Sequence, residues 1–305
     1  MPESRRFPQP AAAVDSLPAA TDARVALPPV LDVPATHWRG AAPGGDLLQP
    51  AEQGASAVDG LRTVAAEVPV ALVFNGLSHA VMMATPADLA AFAVGFALSE
   101  GIVERREDCR DVEVFTHGAG TADASCAVHL EIAPRQFARL KDRRRALAGR
   151  TGCGICGVES LQALDLHPAP LAAPAWRAQL GLAQINRAVG ALAGHQVLNA
   201  QTGALHAAGW ARPDGALTDV LEDVGRHNAL DKLLGHLALA GRLGEAGFVV
   251  MTSRTSYELV RKCARVDVAA LATISAPTGL ALQLAREAGM HLWGLCRPPS
   301  AVRYV

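Results

Sequence analysis

From about residue 183 onward, short apolar runs and amphipathic stretches alternate along the chain. The pattern predicts strands at about 204–210, 216–221, 247–252, 268–274 and 290–295, with helices near 183–194, 227–240, 255–265 and 278–288. Phe248-Val249-Val250-Met251 has no polar alternation, which suits a strand covered on both faces. Helices packed above and below a mixed sheet satisfy that requirement. The expectation is an α/β domain over residues 177–305.

A smaller α+β unit is expected before it, over residues 61–148. Val68 to Phe74 reads as a strand, Asn75-Gly76 as a tight turn, and Ser78 to Ala84 as the returning strand. Thr85 and Pro86 suit the start of a helix that buries Leu89, Phe92, Ala93, Phe96 and Ala97. Strands at about 111–116 and 125–132 and a helix at about 134–148 complete the unit. Residues 135–150 hold seven Arg or Lys against Asp142, a net of +6, and form the most basic stretch in the chain. A loop and linker follow at 149–176. Residues 1–60 are Ala- and Pro-rich without a sustained period, and are expected to form a disordered tail.

Charge and cysteine content limit what such a chain can do. With 28 basic and 29 acidic side chains in 305 residues, no general basic field exists to hold a nucleic-acid backbone. No uncharged apolar run reaches the roughly eighteen residues needed to cross a bilayer. Arg5-Arg6 is followed by Pro8, Pro10 and Asp15 rather than by an export signal's apolar stretch. Six cysteines with one close pair do not make a secreted disulfide scaffold, so a reducing cytoplasm is expected.

The close pair lies in Thr151-Gly152-Cys153-Gly154-Ile155-Cys156-Gly157, where three glycines keep bulk away from two thiols. The preceding arginines favour the reactive thiolate. Half of a zinc site, a dithiol switch and a persulfide carrier all use such a pair. No second Cys-x-x-Cys or spaced His pair supplies the remaining zinc ligands, and no metal residue is assigned. Three further clusters follow predicted strands: Asp223-Val224-Gly225-Arg226-His227, Ser253-Arg254-Thr255-Ser256 and Cys296-Arg297-Pro298. Each alone reads as helix caps, solvated charges or core. Together they place hydroxyls and cations at one sheet edge, which favours a phosphate-bearing ligand. Leu205-His206-Ala207-Ala208 is similar to the zinc-binding turn of nucleobase deaminases, but Ala208 replaces the required Glu. A degenerate deaminase is thus disfavoured.

Taken together, the chain from about Glu67 to Val305 resembles the FdhD family, accessory sulfurtransferases of formate dehydrogenase. Glu67-Val68-Pro69, Asn75-Gly76, Thr85-Pro86, Gly95-Phe96, Glu100-Gly101, the Cys153 loop, Asp223 to His227, Ser253 to Glu258 and Cys296-Arg297-Pro298 carry the likeness, in order. The resemblance implies a cytidine-deaminase-like three-layer C-terminal domain with a mixed sheet, working as a homodimer. It implies that a cysteine desulfurase loads Cys153 as a persulfide, with Cys156 as its companion. It further implies delivery to a molybdenum or tungsten bis-guanine-dinucleotide cofactor, a molybdopterin guanine dinucleotide awaiting insertion into apo formate dehydrogenase. Leu295, Cys296, Arg297, Pro298, Pro299 and Ser300 match the family's cofactor segment, and Arg226, His227, Ser253, Arg254, Thr255 and Ser256 are the other cofactor-binding candidates. Pro299-Ser300 stands where the family commonly has Gly-Arg or a similar pair, so the phosphate contact expected from that Arg is either lost or taken by Arg303. The alternative is a cofactor or apoenzyme chaperone that carries no sulfur.

Overall fold

The computed structural model describes residues 26–39, 56–148 and 167–305. Strands β1 (Val30–Arg39) and β2 (Ser56–Ala65) pair antiparallel along their whole length. Thr36 donates to Asp59 at 2.6 Å and Thr63 to Asp32 at 2.7 Å across the pair. Both strands enter the segment 1–60 expected to be a disordered tail, and that expectation is corrected for Val30–Arg39 and from Ser56 onward. Their order comes from partners far apart in sequence, which local periodicity does not register.

Strands β3 (Val68–Phe74) and β4 (Leu77–Ala84) form the expected hairpin, with Asn75 and Gly76 both at positive φ in the turn. Helix α1 (Leu89–Ser99), β5 (Cys109–His117), β6 (Ser125–Ile132) and α2 (Pro134–Ala148) complete the unit. The sheet order is β4-β3-β6-β5, with β3 and β6 parallel and the other pairs antiparallel. Val70, Leu72, Phe74, Val128 and Leu130 turn one face of it onto Phe92 and Phe96 of α1. Thr85 does not cap α1. The helix starts after Asp88, whose φ is +54°, and Thr85 is fully buried with other partners.

The second unit runs α3 (Leu182–His195), α4 (Val197–Thr202), β7 (His206–Ala211), β8 (Leu217–Asp223), α5 (Arg226–Leu239), β9 (Phe248–Met251), α6 (Tyr257–Arg265), β10 (Ala270–Thr273), α7 (Gly279–Ala288), β11 (His291–Arg297) and β12 (Ser300–Arg303). The sheet order is β12-β11-β10-β9-β7-β8. Alternate strand residues divide two cores. Ala208, Trp210, Val249, Met251, Leu271 and Leu292 pack towards α5, α6 and α7, while Ala207, Phe248, Val250, Ala272 and Trp293 pack towards Ile185 and Leu192 of α3. The three-layer α/β class is therefore as expected. The short elements α4 and β12 were not anticipated. Among the described residues no helix is long and apolar enough to cross a membrane.

Helix α1 joins the units by crossing α5 at van der Waals distance of the backbones. A Cβ on Gly95 would overlap the Asp231 carbonyl oxygen, and one on Gly235 would overlap the Ala91 carbonyl oxygen. Beside this crossing, Lys262 bonds to both Asp231 oxygens (3.0 and 2.8 Å), to Ser99 (2.9 Å) and to Glu100 (2.7 Å). Arg261 grips Glu100 through two 2.8 Å bonds. Burial raises the Glu100 pKa, but the charges of Lys262 and Arg261 outweigh it and hold the group at about 2.

Two outcomes follow. Gly95→Ala should destabilise the fold by about 3 kcal/mol, the upper range for overpacking, read as a lowered urea midpoint. The ionised Glu100 contributes stability above its unfolded value of 4.5, and that contribution is lost as pH falls towards about 2. Glu100→Gln should flatten the loss of thermal stability over that acid window.

Candidate functional site

Strands β8, β9, β10 and β11 run in one direction and β7 in the other, so four strand ends and the start of β7 share an edge. Such strand ends are where α/β sheets bind ligands. All the expected binding clusters outside the cysteine loop lie on this edge.

At the turn from β8 into α5, the acid of the motif serves the fold. Asp223 and Lys232 are completely buried and 2.7 Å apart. Asp223 accepts from the backbone N–H groups of Thr85 (3.0 Å) and Gly225 (2.7 Å) and from the Asn228 amide (2.9 Å). Lys232 donates to the carbonyls of Thr85 and Glu222, and Val224 N–H donates to the Thr85 hydroxyl. The turn is thereby tied to the N-terminal unit.

The cations of the motif are differently placed. His227 Nε2 lies 2.8 Å from the Glu258 carboxylate and 3.4 Å from Ser256 Oγ. The hydrogen bond from His227 draws the Glu258 pKa below its ordinary value. Arg226 is partly buried, and its Nε has no hydrogen-bond partner among the described residues.

The next loop also divides. Arg254 is exposed, whereas Ser253 is buried with its hydroxyl on the Arg254 carbonyl at 3.0 Å. Thr255 is fully buried, and its hydroxyl meets that of Thr273 at 2.8 Å. Its side chain ties the loop to β10 rather than facing the edge. Sequence alone could not separate these roles, since all four residues are polar.

After β11, the turn through Pro298 and Pro299 is held by Asn186 of α3, whose amide donates to the Pro299 carbonyl at 3.0 Å. Leu295, Arg297, Pro298, Pro299 and Ser300 are exposed. Cys296 is not. Arg303 pairs in register with Trp293, away from the turn, and its guanidinium lies against His291 and the Val305 carbonyl. It does not substitute for a cation at the turn.

Leu205 to Ala208, the segment similar to a deaminase zinc-binding turn, leads into a strand: His206 opens β7, and Ala207 and Ala208 face opposite sides of the sheet. Among the described residues no three His, Cys, Asp or Glu stand together as a metal-binding group.

Cys109, Cys126, Cys263 and Cys296 are buried free thiols. Burial pushes Cys109 and Cys296 up to about 11 and Cys263 to about 12, and raises Cys126 as well. Protonated, enclosed thiols are poor nucleophiles. Cys153 and Cys156 lie outside the described residues.

A family model for the FdhD/NarQ family matches residues 65–305, which takes in both units and the whole sheet edge. This chain belongs to the FdhD/NarQ family. It is 54% identical over 252 residues to the sulfur carrier protein FdhD of Burkholderia mallei, covering 83% of this chain and 92% of that one. The protein of the same name from Chromobacterium violaceum is 57% identical over 244 residues, covering 79% and 87%. A crystal structure described as a formate dehydrogenase accessory protein, from Desulfotalea psychrophila, matches with a TM-score of 0.66 and 25% identity over 91% of this chain and 97% of that one.

The enclosure of Cys296 makes a direct prediction: in the folded protein it should resist alkylation by iodoacetamide, as read by peptide mass spectrometry, and react once the chain is unfolded.

Proposed function

We propose that this FdhD/NarQ member is a sulfurtransferase that carries sulfane sulfur as a persulfide on Cys153. The observation that carries this reading is the burial of four of its six cysteines, with thiols held protonated, which leaves the Gly-flanked pair for sulfur chemistry. The names of its relatives agree with it.

Loading is an exchange between thiols. The Cys153 thiolate attacks the outer sulfur of a desulfurase persulfide, a new S–S bond forms, and the desulfurase cysteine leaves as thiolate. No net oxidation occurs. Release as hydrosulfide needs two electrons, which the pair itself supplies: the Cys156 thiolate attacks the inner Cys153 sulfur, a disulfide forms, and HS⁻ leaves.

The acceptor in this reading is the molybdenum or tungsten bis-guanine-dinucleotide cofactor, held along the strand-end edge by Arg226, His227, Arg254, Ser256 and the Leu295–Ser300 turn. Apo formate dehydrogenase then receives the sulfurated cofactor. The protein works in the cytoplasm as a homodimer. Buried charge at Asp223 and Lys232 keeps the α5 end of the cradle fixed while a ligand comes and goes.

With desulfurase and cysteine, peptide mass spectrometry should find one reducible extra sulfur on Cys153. Cys153→Ala should abolish both that gain and formate dehydrogenase activity in the cell, whereas Cys156→Ala should load sulfur but deliver it poorly. Full dehydrogenase activity without Cys153 would favour the chaperone that carries no sulfur.

A further inference from the structure

We infer that Asn186 of α3 is a positioning residue for the cofactor cradle: it holds the exposed turn after β11 in place for a ligand without touching that ligand. The inference rests on the cofactor-cradle reading and names what fixes the β11 end of the cradle.

The turn cannot hold itself. Pro298 and Pro299 have no N–H to donate, so two of its residues give no donor to the ladder between β11 and β12. That pairing is interrupted between Gly294 and Arg297 and resumes with Arg297 opposite Ser300, whose hydroxyl donates to the Arg297 carbonyl at 3.2 Å. Leu295 adds a second demand. Its φ of +51° is a left-handed conformation that an L side chain keeps only where its surroundings impose it. The Leu295 N–H donates to the Ser275 carbonyl at 3.2 Å, which restrains the near end of the segment. The far end needs a partner of its own.

Helix α3 supplies one. Ile185, Ala188 and Leu192 are buried against the sheet with Val250 and Trp293. Arg187 donates to the Asp214 carbonyl at 3.2 Å and to its carboxylate at 3.1 Å, on the turn between β7 and β8. The helix is thereby a fixed base. From it the Asn186 amide donates to the Pro299 carbonyl at 3.0 Å. One turn later Gly190 faces Pro298, where a Cβ would lie 3.8 Å from the proline ring.

For α3 alone, an amide at this place is a poor choice. The Asn186 Oδ1 is buried and has no hydrogen-bond partner among the described residues, a cost that an aliphatic side chain of similar size would avoid. Stability of the helix does not account for the residue, whereas the bond to the turn does. Affinity and stability should therefore part company when the amide is removed.

The test combines calorimetric titration of the full chain with GDP, urea unfolding and amide hydrogen exchange, for wild type, Asn186→Leu and Asn186→Asp. The leucine removes the donor and the unpaired oxygen together; the aspartate keeps the shape and sets an acceptor against the Pro299 carbonyl. Asn186→Leu should bind GDP about fivefold more weakly, the loss of one neutral hydrogen bond, with a urea midpoint no lower than that of wild type. Asn186→Asp should lose about tenfold. In both, the Leu295 amide should exchange faster while those of β9 and β10 stay protected. Unchanged GDP affinity in both folded variants would overturn the positioning role and leave the cradle standing. So would a loss of affinity that comes with a lower urea midpoint and faster exchange throughout the sheet. No GDP binding by wild type would overturn the cradle, and the role of Asn186 with it.

Discussion

Backbone meets backbone where α1 crosses α5, and the arrangement of both units follows from that contact. Gly95 and Gly235 let the helices approach so closely that Ser99, Glu100, Asp231, Arg261 and Lys262 are drawn into one ionic cluster. A side chain at either glycine would separate the helices and wet those charges. Buried charges that lose a partner are strongly destabilising. The crossing and the cluster therefore stand or fall together.

The same approach delivers Met83 and Thr85 to the start of α5, where Asn228, Asp223 and Lys232 receive them. The sheet edge is thus braced from outside its own domain. Within one five-residue motif, labour is divided by burial: Asp223 faces inward and fixes the turn, while Arg226 and His227 sit partly open above it. The division recurs at the next loop, with Thr255 inward and Arg254 outward.

Elements whose signal is local were legible in the sequence. The hairpin of β3 and β4 follows from Asn75-Gly76, and Phe248 to Met251 declares a strand covered on both faces. Elements made by distant partners were not. Nothing near Val30 or Ser56 indicates that each pairs with the other, and β12 exists because β11 offers it an edge. The strand-end clusters were found because polar residues after apolar runs are visible. Their inward or outward facing depends on which strand lies beside them, and that is tertiary information. Thr85 shows the limit well, since a threonine ahead of a helix reads as a cap, whereas its hydroxyl and both its backbone polar groups serve Val224, Lys232 and Asp223.

The load borne by Asp223 has a bearing on how loss of function in such a protein is interpreted. A carboxylate that satisfies an ammonium, two backbone amides and a side-chain amide has no capacity left for chemistry, yet its replacement would silence the protein as thoroughly as loss of a nucleophile. A screen scored on formate metabolism alone would rank Asp223 beside Cys153, the proposed sulfur carrier. Soluble yield separates them, because a missing nucleophile leaves a normal amount of folded protein and a missing keystone does not.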